Sequence, residues 1–327
     1  MSNATEAPSA VSAPNRRAGL VDFFVRLLKE KPLGTFCGII VLLFILVAVF
    51  AEVLAPFPHD EVNILDRMQQ PSEQYLLGTD QLGRDLLSRL LFGAQISLTV
   101  GLSATALNVL IAVLIGSLSG FLGGKVDLVV QRFVDAWMAF PGLLLLLTIM
   151  SLVGRGLPQI IVVLGVTGGI GSSRIVRSAV IGVKENVYFQ AAVAIGCSKG
   201  RILLRHVLPN IAAPVIIIFT INIGAVIISE AALSFLGFGL PIKVPSWGGM
   251  LSREGREFME MAPRLALWPG LCLTIVVYSL NMFGDALRDL LDPRLRGGGG
   301  RLGAYGAKAK AAAKAEATSS SSLKALE

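Results

Sequence analysis

Residues 90–124 read LLFGAQISLTVGLSATALNVLIAVLIGSLSGFLGG, a run of 35 positions without aspartate, glutamate, lysine, arginine or histidine. About 20 predominantly apolar residues suffice to cross the hydrocarbon core of a bilayer as an α-helix. A soluble domain carries about 25% charged residues, whereas this chain of 327 residues has 16% charged and 54% hydrophobic residues. The run and the composition together predict a membrane-embedded chain and argue against a soluble enzyme.

Five further uncharged runs follow the same pattern. Together with the first, they cover residues 33–51, 90–124, 136–154, 156–173, 207–229 and 265–284. We therefore expect an all-α membrane protein with six transmembrane helices, at about 33–55, 94–122, 130–153, 157–173, 209–236 and 265–285. Only Arg155 separates the third run from the fourth, and Gly154, Gly156 and Pro158 favour a tight turn there over one very long helix.

The two ends of the chain differ from the spans in composition. Residues 1–15 are expected to be disordered, and residues 16–32 to form an amphipathic helix on the membrane surface; a solvated basic helix is the alternative. The apolar face of that helix would consist of Val21, Phe24, Val25 and Leu28. Residues 297–327 are rich in Gly, Ala, Lys and Ser, which predicts a tail that is disordered or foreign to the native protein.

The basic residues predict the orientation of the chain. Of the 29 lysines and arginines, 21 lie on the side that holds both termini and 8 on the other side. Without the five beyond Gly300 the ratio is still 16 to 8. Because cytoplasmic loops are enriched in these residues, both termini are expected in the cytoplasm. The net charge of +7 is then explained by this excess of basic residues on the inner side. We expect membrane lipid as a partner and no nucleic acid.

The segment 186–209, between the fourth and fifth spans, carries the most informative motif. Residues 190–196 read QAAVAIG and residues 206–210 read HVLPN. These residue types predict a helix of small residues, a turn at 196–200, a basic helix and a break at Pro209. The bases of the second helix are Lys199, Arg201 and Arg205.

This motif resembles the cytoplasmic signature of importer-type ABC permeases, E-A-A-x3-G-x9-I-x-L-P. Gln190 replaces the usual acid, so that a hydrogen bond but no salt bridge is available there, and His206 replaces the usual isoleucine. Because His-x-Leu-Pro is common in the peptide-transporting branch, the second departure favours that branch. The matching positions are Ala191, Ala192, Gly196, Leu208 and Pro209. The resemblance implies that 186–209 is a coupling loop that docks onto a separate ATPase.

Other motifs resemble the C-type permeases of dipeptide, oligopeptide and nickel importers. They are LGTDQLGRDLLSR (77–89), DAWMAFP (135–141), LSFLG (233–237), PSWG (245–248) and GDALRDLLDP (284–293). The first contains Gly78, Thr79, Asp80, Gly83, Arg84 and Asp85, and it is expected to be either a scaffold or a docking site for a solute-binding protein. The resemblance covers roughly residues 32–296 and implies the type I ABC importer permease fold.

The resemblance also implies a function and a set of partners. The chain would be a permease subunit of a binding-protein-dependent ABC importer in the bacterial cytoplasmic membrane. Its partners would be a homologous B-type permease, two ATPase subunits and a periplasmic or lipid-anchored solute-binding protein. This chain would hold no cofactor, and the ATPases would bind ATP and Mg, because the sequence lacks the phosphate-binding pattern G-x-x-x-x-G-K-[ST]. Peptides are the expected solutes, with nickel chelates and opine- or sugar-like solutes as alternatives.

Three polar residues inside the spans are candidates for the transport path. Asn108 and Asn222 either line a path or bond between helices. Glu230 is a carboxylate beside an apolar run, which suggests function. It lies about 20 residues past Pro209, or about 30 Å along a helix, near the outer face. A structural or interfacial role is therefore favoured for Glu230.

Alternatives to an importer subunit have weaker support in the sequence. A self-contained secondary transporter or channel usually needs ionisable residues at mid-membrane depth, and few are found there. An intramembrane enzyme would need paired carboxylates or a Ser/His set, and the chain has two histidines. The three cysteines are widely separated, so no metal site is expected. Glycines 165, 168, 169 and 171 predict close helix packing rather than a nucleotide loop.

Overall fold

A computed structural model describes residues 25–241 and 243–291, without the side chains of residues 253 and 254. Throughout these ranges the regular structure is helical, apart from one isolated β-bridge. The expected all-α class is therefore confirmed.

The expected disordered ends, 1–15 and 297–327, lie outside the described residues. So does the first part of the expected surface helix at 16–32, including Val21 and Phe24. Its described part is helical at residues 25–30.

Eleven named helices make up most of the described chain. They are α1 (Pro32–Val49), α2 (Ala51–Leu54), α3 (Leu86–Leu122), α4 (Gly124–Met138), α5 (Gly142–Val153), α6 (Leu157–Lys184), α7 (Val187–Ala194), α8 (Lys199–Ile202), α9 (Ala212–Phe235), α10 (Trp247–Met250) and α11 (Arg264–Leu291), with 3₁₀ turns at Ile64–Asp66 and Leu208–Ile211 and π turns at Leu203–Val207 and Leu251–Gly255. Five helical segments are long and apolar enough to cross a membrane. They are α1, α3, α6, α11 and the segment Lys199–Phe235 that contains α9.

The third expected span, 130–153, is not one straight helix. Helices α4 and α5 are bent by 88° at the break between them, and they form a sixth span only if the pair is counted together. The break coincides with Pro141, which lacks an N–H and disfavours helical backbone at the residue before it. Counting uncharged residues does not detect such a bend.

Two helices extend well beyond the expected spans. Helix α3 begins at Leu86 rather than near 94, because Asp85 caps its N-terminus: the carboxylate accepts a hydrogen bond from the Ser88 N–H at 2.8 Å. Helix α6 continues to Lys184 rather than ending at 173. Its extra turns carry arginines that are paired with aspartates, so charge at these positions does not end the helix.

The chain divides into two units, residues 36–285 and a smaller unit whose described part is residues 25–35 with 286–291. In the described part of the smaller unit, the Lys31 ammonium donates to Asp289 at 2.5 Å, and both side chains are partly exposed. An exposed pair of this kind contributes up to about 1 kcal/mol.

The larger unit has a core built around Trp247, which is fully buried. Its indole N–H donates to the Leu90 carbonyl at 3.1 Å, and Phe44 of α1 meets the ring edge-on at 5.9 Å. The cluster brings together side chains from α1, α3, α9 and α11. Its other buried members are Val41, Ala48, Ala94, Leu98, Ile223, Ile227, Val276 and Leu280. The PSWG motif therefore has a packing role in this structure.

Helices α3 and α6 approach each other through two G-x-x-x-G pairs. A Cβ at Gly116 of α3 would lie 2.5 Å from the Ser173 carbonyl oxygen, and one at Gly169 of α6 would lie 2.7 Å from that of Asn108. Gly120 and Gly165 face similarly close neighbours. Small residues that allow backbones to come together are typical of membrane helix pairs. The expected packing role is confirmed for the glycines at 165, 168 and 169, but Gly171 has no atom within 4 Å of a Cβ.

Replacing Gly169 by valine should destabilise the α3–α6 pair by about 1–3 kcal/mol, the usual cost of overpacking a well-packed site. The measurement is the thermal midpoint of the purified protein in detergent. Gly182→Val is the matched control, because Gly182 lies on the same helix with open space around a Cβ. If both variants lowered the thermal midpoint equally, the low helix preference of valine would explain the effect. The packing explanation would then be wrong.

Candidate functional site

The segment 186–209 begins directly after α6 and is attached to the core by buried side chains. Ala192 of α7, Ile202 of α8 and Val207 pack in one cluster with residues of α3, α6 and α9. Phe189 meets Phe121 of α3 edge-on at 6.4 Å. Because α7 has apolar contacts to the spans on one side, the helix is held in place rather than suspended in a free loop.

Helix α7 ends in a Schellman motif, and the motif explains the glycine of the signature. The N–H of Cys197 donates to the Ala192 carbonyl at 3.1 Å, and the N–H of Gly196 donates to the Val193 carbonyl at 3.0 Å. This geometry requires a left-handed residue at position 196, where φ is +78°. Glycine adopts that conformation without steric cost.

The expected break at Pro209 is a change of helix type. The chain passes from α8 through a π turn at Leu203–Val207 and a 3₁₀ turn at Leu208–Ile211 into α9. Pro209 occupies the first turn of the 3₁₀ segment, where its missing N–H is tolerated. The chain therefore stays helical through Pro209, while its hydrogen-bonding pattern changes from α to π to 3₁₀ and back to α. The motif alone did not reveal this change.

The side of this segment that faces away from the spans combines apolar and basic residues. Val187 and Ile195 are 80% and 79% exposed, and Val193 and Leu204 are also exposed. Lys199, Arg201 and Arg205 are exposed beside them. We call these seven residues the docking face. The docking face lies where α7 and α8 lead into the candidate span Lys199–Phe235, and exposed apolar residues beside polar ones are typical of a protein interaction site.

The signature residues divide between this exposed side and the interior. Gln190, Ala191, Gly196 and Pro209 are exposed, Ala192 is buried, and His206 and Leu208 are half-buried. The four apolar members of the docking face were missed in the sequence analysis. Their signal was present, since Val187, Val193, Ile195 and Leu204 are large apolar residues in a segment between two spans.

Ion pairs join α4 to α6 near the end of α6 that leads into α7. The Arg177 guanidinium donates to both carboxylate oxygens of Asp127, at 2.6 and 2.5 Å, and Arg174 pairs with Asp135. Lys184 donates to the Gly120 carbonyl of α3 at 3.1 Å. Asp135 belongs to the DAWMAFP motif, and its role in this structure is to hold α4 against α6.

The motif at 77–89 is a buried scaffold. Asp80 is fully buried: one carboxylate oxygen accepts from the N–H groups of Leu82 and Arg84 at 2.8 and 3.0 Å, and the other accepts from the Arg84 guanidinium at 2.6 Å. Arg89 lies 3.4 Å from the same carboxylate. The side chains of this network point inwards, which favours the scaffold interpretation over direct contact with a binding protein.

The remaining residues of that motif complete the same scaffold. Gly78 and Gly83 have φ values of +80° and +74°, and Thr79 and Asp85 form the isolated bridge. The Thr79 hydroxyl accepts a hydrogen bond from the Gln69 N–H at 2.8 Å. Nearby, the Tyr75 hydroxyl donates to Asp66 at 2.9 Å, and this hydrogen bond raises the pKa of Tyr75.

The two asparagines come together in the spans, whereas Glu230 is separate from them. Asn108 and Asn222 line one open cavity of about 460 Å³. Glu230 is fully buried outside that lining, and one of its oxygens accepts from the Ser234 hydroxyl at 2.7 Å. The structural role expected for Glu230 agrees with this position. Within the described part of the chain, no three His, Cys, Asp or Glu side chains are placed to hold a metal ion.

Comparison with known sequences identifies the family. Residues 112–297 match the family described as "Binding-protein-dependent transport system inner membrane component". The chain belongs to this family. Residues 22–71 also match the N-terminal transmembrane domain of oligopeptide transport permease C. The first match covers more than half of the chain and includes the docking face.

Curated relatives of this permease are permease proteins of several transport systems. The dipeptide transport system permease protein DppC of Alkalihalophilus pseudofirmus is 38% identical over 82% of this chain and 88% of its own length. The oligopeptide permease OppC of Bacillus subtilis is 37% identical over 79% and 84%. The glutathione permease GsiD of Escherichia coli is 38% identical over 84% and 90%.

Solved structures support the fold of this permease. The inward-facing MetNI methionine ABC transporter has a chain that matches with a TM-score of 0.52 at 19% identity, covering 62% of this permease and 96% of that chain. A likeness at this identity concerns the fold alone, which is the type I importer permease fold. The chain is thus a multi-pass ABC importer permease and not an ATPase subunit, and it works with ATPase and solute-binding partners.

Proposed function

We propose that this chain is the C-type subunit of an importer for peptides or related small solutes, and that its docking face binds an ATPase subunit. The docking face supports this assignment, because Val187 and Ile195 are exposed apolar side chains in the same segment as three exposed basic residues. The substrate class is supported by relatives named for dipeptide, oligopeptide and glutathione transport.

The connection between α7 and the spans provides a mechanism. Only residues 185 and 186 separate α6 from α7. Since α6 is joined to α4 by the Asp127–Arg177 pair and packs closely on α3, a displacement of α7 moves these helices together. Closure of the ATPases on ATP would push α7 and switch the permease from inward-facing to outward-facing, which is alternating access.

The remaining partners and the orientation follow from this assignment. The permease lies in the bacterial cytoplasmic membrane, with both termini and the docking face in the cytoplasm. A homologous B-type permease completes the pathway, two ATPase subunits bind ATP and Mg, and a periplasmic or lipid-anchored solute-binding protein delivers the solute. No cofactor is held by this chain. The excess of basic residues on the side of the termini supports the orientation.

The test is purification from native membranes followed by reconstitution in liposomes. We expect one other permease and ATPase subunits to co-purify, with ATP hydrolysis that vanadate inhibits and solute uptake that needs the binding protein. Uptake by the isolated chain, driven by an ion gradient without ATP, would contradict the proposal and support a secondary transporter.

A further inference from the structure

Three spans place amide and hydroxyl groups at one point near the middle of their length. Asn108 belongs to α3, Ser172 to α6 and Asn222 to α9. The Asn222 side-chain NH2 donates to the Ser172 hydroxyl at 3.2 Å and to the side-chain carbonyl oxygen of Asn108 at 3.5 Å. Polar side chains inside a membrane span carry an energetic cost. They therefore usually hydrogen-bond to one another or have a functional role. This cluster is therefore a candidate for more than helix contact.

The cluster forms part of the wall of the 460 Å³ cavity, whose volume lies within the range of small-molecule sites. Gly142 and Gly171 also line the cavity, and neither has an atom within 4 Å of a Cβ position. Among the residues that the structure describes, no charged side chain lines it. The cavity thus combines apolar walls, uncharged polar groups and empty space beside two glycines.

Two groups of the cluster have hydrogen-bonding capacity that the described residues do not use. The side-chain NH2 of Asn108 donates to no described residue, although Asn108 is only 3% exposed. The side-chain carbonyl of Asn222 accepts a hydrogen bond from no described residue. One donor and one acceptor on neighbouring side chains match the carbonyl and N–H of one residue in an extended peptide, because these two groups point to the same side. A charged group would lose its hydration here without an opposite charge to compensate.

We propose that this cavity contacts the solute in transit and binds the backbone of one residue of a peptide, with Asn108 donating to its carbonyl and Asn222 accepting from its N–H. The inference rests on the proposed function and adds the group that is recognised. It predicts that the cavity favours uncharged backbone over charged side chains. Lipid chains or a helix of the partner permease are the other possible occupants, and the test below separates them from the solute.

The first experiment fills the cavity in the complete reconstituted importer. Gly171→Leu adds a side chain to the open space, and Gly182→Leu is the matched control on the same helix, outside the cavity lining and equally open. ATP-driven uptake of alanine peptides of three to five residues, which have internal residues without charge, should fall at least about tenfold in Gly171→Leu and stay unchanged in the control, with wild-type yields of both complexes. Unchanged uptake in Gly171→Leu would show that lipid or a partner helix occupies the cavity and would overturn the proposal.

The second experiment tests the peptide bond itself. The best-imported alanine peptide is compared with an analogue in which one peptide N–H is replaced by an ester oxygen. Asn222→Leu should reduce uptake of the peptide about fivefold, the value of one hydrogen bond, and leave uptake of the ester unchanged. Equal reductions for both solutes, or none for either, would overturn the proposal. Failure of the wild-type importer to take up any alanine peptide would instead contradict the peptide class in the proposed function, and with it this inference.

Discussion

Replacing Asp80 by alanine should destabilise the permease by about 3–5 kcal/mol, the cost of removing one partner from a buried ion pair. The carboxylate is fully buried and accepts hydrogen bonds from two backbone N–H groups and the Arg84 guanidinium. Alanine would leave the Arg84 charge with fewer partners in the interior and would release the turn that precedes α3. We expect a large drop in the thermal midpoint of the purified importer and a low yield in membranes.

Asp60→Ala is the control for the Asp80 variant. Asp60 is an exposed acid between the first two long helices, so its removal should change stability by less than about 0.5 kcal/mol. The double variant Asp80→Leu with Arg84→Leu should recover part of the loss, because it removes one of the two buried arginines beside the carboxylate together with Asp80, while Arg89 stays. If Asp80→Ala were as stable as Asp60→Ala, the scaffold interpretation of the 77–89 motif would be wrong.

Introducing aspartate at both Val187 and Ile195 should detach the ATPase subunits. These side chains are the most exposed apolar groups of the docking face. If each is a central contact worth about 2 kcal/mol, the two together weaken docking several hundredfold, since about 1.4 kcal/mol corresponds to a factor of ten. The ATPase should be lost from the purified complex, and stimulation of ATP hydrolysis by the loaded binding protein should disappear.

Leu65→Asp provides the comparison for this variant. Leu65 is 94% exposed and lies in the long segment between α2 and α3, away from the docking face. Its substitution should leave the ATPase bound. If the Val187/Ile195 variant retained the ATPase in a complex of normal stability, the docking face would not be the site that binds the ATPase.

The turn after α7 allows a finer test of the same docking. Gly196→Ala places a side chain in the left-handed conformation at a cost of about 1–2 kcal/mol, whereas Gly200→Ala has open space around its Cβ and no such strain. We expect weaker coupling of ATP hydrolysis to uptake in the first variant only. Equal coupling in both would show that the shape of this turn is unimportant for docking.

Much of the fold could be predicted from the distribution of charge. The absence of charged residues over 90–124 implies a helix, because only internally hydrogen-bonded backbone is tolerated in lipid. The extension of α6 to Lys184 could not be predicted in this way, since its arginines are neutralised by aspartates of α4, which are distant in the chain.

The candidate site was predicted in part. The 190–209 motif predicted the small-residue helix and the turn that starts at Gly196, because a helix end and its turn depend on neighbouring residues; the left-handed backbone of Gly196 was seen only in the structure. Which side of α7 is exposed could not be deduced, since burial of Ala192 depends on α3, α6 and α9 packing against it.

By itself, the sequence determined the membrane setting, the helical class and the family signature. These follow from hydrophobicity and local backbone geometry, which are properties of contiguous residues. The tertiary structure alone decided that Asn108, Ser172 and Asn222 meet at one cavity while Glu230 lies elsewhere. The physical reason is that helix–helix contact joins positions 50 or more residues apart through the close packing that glycines permit, and no local pattern encodes which faces meet.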